Sequence, residues 1–131
     1  MQTLFKENLS VKRLTKGKLP SLPFLAFKNN ILGKKYDLSI VFVGRNQARE
    51  LNRIHRNKDY NTNILSFPLS ESSGEIIISL EKVRRDAVEH NKSFYNFLGF
   101  LVIHGMLHLE GYEHGATMEK LEGFYCGKFK I

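Results

Sequence analysis

The stretch FLGFLVIHGMLHLEGYEH, residues 97–114, is apolar at nearly every position as far as Leu109 and holds three of the chain's five histidines. A helix that is hydrophobic all round is a buried one, so this stretch predicts a central helix with the rest of the fold gathered about it. Two histidines interrupt the apolar run, and it is shorter than the roughly 20 residues that a bilayer span needs. Gly111 follows the apolar run, and glycine is the residue best able to end a helix in the left-handed conformation.

Working outward, EKVRRDAVEHN before this helix and MEKLEGFYCGKF after it read as further helices. Upstream, LSIVFVG (38–44) is a β-branched run closed by glycine, which predicts a strand. Asn46 offers an N-cap for QARELNRIHR, whose Ala48, Leu51 and Ile54 make a narrow apolar stripe. The polar loop NKDYNTN leads into ILSFPL and, past ESSG, into EIIISL. These two read as neighbouring strands, with Pro68 pointing to a sheet edge. LPSLPFLAFKNNIL turns helical after its second proline, and TLFKENL predicts one short strand. Strands with helices around them make an α+β domain, a small mixed sheet packed about the buried helix. Its 131 residues suit a single domain spanning 1–131, with no repeat or linker to divide it.

The net charge is +7, spread unevenly. Residues 1–58 carry 13 Lys or Arg against 3 acidic residues, and the remainder 7 against 10. That asymmetry predicts a polyanionic partner, nucleic acid ahead of membrane, because no long basic amphipathic helix is present. Lys12, Arg13, Lys16, Lys18, Lys34 and Lys35 are candidates for backbone phosphate contacts. The N-terminus has no apolar signal segment, and the lone Cys126 permits no intrachain disulfide. Both features predict a reducing, cytoplasmic home, with Cys126 a packing residue.

On the central helix, His104 and His108 stand four residues apart and share a face, with Cβ atoms about 5–6 Å from one another. Imidazole nitrogens at that spacing can reach one ion at about 2.0–2.1 Å. Gly111 lets the chain turn back, so His114 can supply a third nitrogen. Burying two imidazoles without partners costs about 1–3 kcal/mol for each unpaired group; a shared ion satisfies both. Three nitrogen ligands and no CxxC to close the shell predict an open, hydrolytic site, with zinc the first choice and nickel, copper or iron also suited to imidazole. A water on such an ion has its pKa lowered to about 7. The spacing matches the zincin motif HExxHxxGxxH except at the general base, where this chain carries Gly105. Glu110 and Glu113 follow the second histidine and do not replace it. Peptide hydrolysis by that mechanism is therefore disfavoured.

HGMLHLEGYEH resembles the signature H-G-x-L-H-L-x-G-Y-D-H of the YbeY family of bacterial metal-dependent endoribonucleases, with Glu113 for its aspartate. LNRIHRNKDYNTNILSFP (51–68) resembles a second family block, with Asn61 for a proline and Ile64 for a valine, and GEIIIS (74–79) a third, with Glu75 for an aspartate. The blocks keep the family's order and span about half the chain.

The resemblance implies a compact zincin-like α+β fold, with His104, His108 and His114 on one zinc ion. It implies cleavage of single-stranded RNA in ribosomal RNA processing, at the 3′ end of the small-subunit RNA, and in ribosome quality control. Ribosomal RNA and the small ribosomal subunit are the implied partners, and Arg56 takes the place of the family's functionally important arginine. A guanidinium grips phosphate oxygens in two places, so Arg56 is expected to hold the scissile phosphate. Asn63 and Ser66 are weaker candidates for RNA contacts, Tyr60 for stacking on a base. GEIIIS reads equally as a groove-lining exposed strand or as sheet core. The rival readings are another metallohydrolase, such as a peptidase, and a non-catalytic ribosome-assembly factor with a structural metal.

Overall fold

Leu9 and Val11, then Leu38, Ile40 and Phe42, then Ile76 and Ile78 alternate with less buried neighbours and join one core cluster. This period of two puts all seven on one face of a sheet. The computed structural model describes residues 2–131. Its strands are β1 (Gln2–Lys6), β2 (Leu9–Arg13), β3 (Asp37–Val43), β4 (Ile64–Ser70) and β5 (Ser73–Ser79), in the order β1-β2-β3-β5-β4. Strands β2, β3 and β5 run parallel, while β1 and β4 are antiparallel edges.

The helices are α1 (Phe24–Ile31), α2 (Arg45–Arg56), α3 (Leu80–Glu89), α4 (Phe94–Glu110) and α5 (Ala116–Phe129). Residues of α1, α3, α4 and α5 share the large core with the inward face of the sheet. On the other face α2 packs through Ala48 and Leu51 against Val43, Leu65 and Ile77. The α+β fold with a buried central helix is what the sequence predicts. That helix is α4, with Val102, Ile103 and Met106 fully buried. Each large side chain so buried contributes about 1.5–3 kcal/mol relative to exposure. The Ser93 hydroxyl accepts from the Asn96 N–H at 3.0 Å and caps the start of α4.

Three local expectations change, and one reading left open is settled. TLFKENL is a hairpin rather than one strand: Glu7, at φ 53°, and Asn8 turn the chain between β1 and β2. The pairing of β2 with β3, which seats Leu9 and Val11 in the core, outweighs the absence of a glycine at the turn. Helix α2 starts one residue ahead of Asn46, with Gly44 at its cap and no side-chain cap bond. Helix α5 begins at Ala116, two residues ahead of Met118. GEIIIS is interior: β5 lies between β3 and β4 and is sheet core, so the groove-lining edge is β4.

Lys28 was not singled out in sequence, yet it is fully buried. Its ammonium donates to the carbonyls of Gly33 (3.2 Å), Lys34 (3.0 Å) and Tyr36 (2.8 Å), using all three N–H groups. Burial pushes its pKa down. The bonds pin the α1–β3 connection and leave Lys34 and Lys35 at the end of the sheet where β3 begins. Among the described residues no helix is long and apolar enough to cross a membrane.

Candidate functional site: a three-histidine cleft

Helix α4 descends along the edge strand β4 and brings His104 and His108 to a cleft of about 720 Å³. Gly111, at φ 109°, ends the helix: its N–H bonds the His108 carbonyl at 3.0 Å and the Tyr112 N–H bonds the Leu107 carbonyl at 3.1 Å. This paired closure turns the chain back. It carries His114 to ring-centroid distances of 5.1 Å from His104 and 4.8 Å from His108. The three histidines offer nitrogens within 4.8 Å of one another.

The far side of each helical imidazole is committed. Glu122 on α5, itself buried, accepts from His104 Nδ1 at 2.6 Å, and the Tyr112 carbonyl accepts from His108 Nδ1 at 3.0 Å. With both protons on Nδ1, the tautomer these partners select, the two Nε2 lone pairs face each other at 3.0 Å. Two acceptors at that distance need a cation or a shared proton between them. The donor set therefore fits a transition-metal ion, and imidazole is its commonest protein ligand. Burial, and then the neighbouring His104, lower the His108 pKa, which favours the neutral form that ligates.

Glu122 lies 18 residues from His104 in sequence, and no local signal marks it. Glu122→Ala is expected to weaken metal binding about 10–100-fold, as loss of an outer partner does, with Glu122→Gln in between. Competition against a chromophoric chelator measures this, and unchanged affinity in the alanine variant would remove Glu122 from the site.

Gly105 has a physical reason. A Cβ built there meets Ile64 Cδ1 and Ser66 Oγ at 2.9 Å, so α4 lies close on β4 and a side chain there must push both aside. Overpacking costs about 1–3 kcal/mol, while alanine's better helix propensity returns at most about 1 kcal/mol. Gly105→Ala is thus expected to lower the urea midpoint with an unchanged m-value. A raised midpoint would show that β4 yields.

The cleft's other walls come from the end of α2, the loop before β4 and β4 itself: His55, Arg56, Tyr60, Asn61, Asn63 and Ser66 line it. Buried Asn52, also missed in sequence, holds that loop through a bond from Nδ2 to the Tyr60 carbonyl at 3.0 Å. On α2, Arg49 and Arg53 are bonded to Asp59 and Glu50 and Arg45 stands 3.8 Å from Glu81, whereas Arg56 joins no ion pair among the described residues. It is the uncommitted guanidinium at the cleft. Asn63 is in the cleft, but its amide donates to Asp86 at 3.0 Å, and Lys82 contacts the other Asp86 oxygen at 3.0 Å. Asn63 thus braces the loop. Ser66 faces Gly105. Tyr60 is half exposed at the rim, and His55 lies against Phe67 with centroids 4.7 Å apart. Cys126 is half-buried against the core, and burial pushes its thiol up.

Residues 7–124 match the family model described as endoribonuclease YbeY. Curated relatives of that description include one from Alkaliphilus oremlandii, 44% identical with 66% of this chain and 68% of the relative covered, and one from Carboxydothermus hydrogenoformans, 41% identical with 63% and 61% covered. The chain thus spans about two thirds of the length of these relatives. The solution structure of TM1509 from Thermotoga maritima is similar at a TM-score of 0.62 and 28% identity, over 92% of this chain and 91% of that one. With the family model covering most of its length and its three-histidine helix and turn in place, the chain belongs to the endoribonuclease YbeY family.

Proposed function

We propose that the protein is a metal-dependent endoribonuclease of single-stranded RNA, acting on ribosomal RNA and the small ribosomal subunit, at the 3′ end of the small-subunit RNA and in ribosome quality control. His104, His108 and His114 would hold one zinc ion, and the lone thiol fits a cytoplasmic setting. One observation carries the reading: three convergent imidazoles and Arg56, which joins no ion pair among the described residues, line the same open cleft. An ion bound there supplies Lewis acidity and brings water's ionisation near neutral pH.

The chain's own groups do the rest. Arg56 takes two oxygens of the scissile phosphate in its planar fork and opposes the charge that grows on them. Glu122 and the Tyr112 carbonyl keep the His104 and His108 rings oriented and their Nε2 atoms turned inward. Tyr60 at the rim offers a face to an unpaired base. Gly105 leaves no carboxylate where the related peptidases keep their base, so a phosphodiester suits the site better than a peptide.

The test is cleavage of a 3′-extended small-subunit precursor RNA by metal-loaded protein, by chelator-stripped protein, and by stripped protein recharged with zinc. Cleavage that is lost on stripping and restored by zinc supports the reading. A metal-loaded protein that leaves both naked RNA and pre-subunits uncut overturns it. Product ends identify the nucleophile: a 2′,3′-cyclic phosphate assigns the RNA 2′-hydroxyl, and a 3′-hydroxyl paired with a 5′-phosphate assigns water.

A further inference from the structure

A second cavity, of about 280 Å³, opens where β2, β3 and β5 end, lined by Arg13, Thr15, Lys16, Arg45, Glu81 and Arg84 among others. Four cations there face one carboxylate. That carboxylate is weakly used, since Arg45 Nη1 stands 3.8 Å from Glu81 with both side chains about half exposed. Arg13 organises the wall: Nε donates to Thr15 Oγ1 at 3.1 Å and Nη1 to the Lys18 carbonyl at 2.6 Å, folding the Thr15–Lys18 loop around it. Arg84 lies with its guanidinium 4.0 Å from the Phe94 ring centroid, a stacking that covers its face and leaves its N–H edges free. Lys16 makes no ion pair among the described residues. Like charges gathered at one hollow repel one another in the absence of a counter-charge, and arginine edges with a lysine suit a phosphate group.

The position says which phosphate. Helix α3 sends Glu81 and Arg84 to this cavity and Lys82 and Asp86 to the histidine cleft. Both hollows open at the end of the sheet where β5 finishes and β4 starts, since Ile64 pairs with Ile78. Helix α3 lines both, and a helix with its side chains is about 10–12 Å across. A strand advancing about 3.4 Å per stacked nucleotide covers that in a few residues. Lys34 and Lys35 lie at the opposite end of the sheet, where β3 begins.

We infer that this basic cavity is a phosphodiester subsite that holds the flank of the RNA strand whose cut position lies in the histidine cleft. The inference rests on the endoribonuclease reading.

The test uses the zinc-loaded full chain, the double variant Lys16→Gln/Arg45→Gln and the single charge reversal Lys16→Glu, with two substrates sharing one cut site but bearing a short or a long flank. The long substrate is expected to lose about tenfold in affinity in the double variant. Its plot of log affinity against log salt should flatten by about 0.7 for each phosphate that the variant no longer neutralises, with kcat unchanged. The short substrate is expected to be cut as by wild type. Lys16→Glu, in a surface loop, guards against a folding defect and is expected to act in the same direction. If wild type cuts and both variants keep their salt slope and KM on the long substrate, the subsite is overturned while the endoribonuclease reading stands. If wild type cuts nothing, both fall. Inorganic phosphate titrated against the backbone amides of residues 13–16 and 45 separates the sources. Phosphate-induced shifts without any effect of the variants on RNA would assign a free anion and overturn the strand.

Discussion

His108→Ala protein is expected to lose stoichiometric metal and all RNA cleavage above background. His108 is the middle of the three: its Nε2 lies 3.0 Å from His104 Nε2 and its ring is within 4.8 Å of His114 by centroid. Removing it leaves two nitrogens, one of them on the exposed turn after Gly111. An outer hydrogen-bonding partner is worth about 10–100-fold in metal affinity, and loss of a direct ligand is expected to exceed that. The measurement is metal content after dialysis against a weak chelator, together with cleavage of the precursor RNA. The removed imidazole is only partly buried, so the core of α4, from Phe97 to Leu107, should persist by circular dichroism. Full metal content in this variant would sink the assignment of the ligand set. Full metal with no cleavage would make His108 a group that acts on RNA instead.

Arg56→Ala is expected to behave in the opposite way on metal and in a similar way on turnover. Metal content and melting temperature should match wild type, because Arg56 is exposed and joins no ion pair among the described residues. Its kcat should fall by about 10²–10³-fold, the scale set by removing one group that opposes developing charge. Arg56→Lys keeps the charge and loses the fork, so it should recover binding more than turnover. A rise in KM alone would reassign Arg56 to phosphate holding, and wild-type kinetics would remove it from the site. Arg49 is the internal control: it is tied to Asp59 at 2.8 Å, and Arg49→Ala should leave kcat unchanged.

The distance over which each signal acts explains what was legible. The His104/His108 spacing and the Gly111 turn are geometry within one helix and its cap, so a few neighbouring residues specify them. The strand LSIVFVG and the edge character given by Pro68 are likewise local. Asn63 and Ser66 were placed in the cleft by their neighbourhood, but their partners, Asp86 and Gly105, decide what they do there. No glycine marks the hairpin at Glu7–Asn8; its second strand is held in the sheet by pairing with β3. GEIIIS could not be assigned to edge or interior from its own composition, because strand order is a property of the whole sheet.

The amino-acid sequence by itself therefore determined the buried helix, the histidines it carries and the turn that returns the third, since bond geometry within about ten residues suffices for each. Only the tertiary structure decided that Glu122 orients His104, that Asn52 shapes the cleft, that Arg56 is the arginine of α2 left uncommitted, and that a second basic hollow opens across α3. Those facts depend on side chains far apart in sequence being packed side by side, and helix and strand periodicity carries no record of which distant residue a side chain will meet.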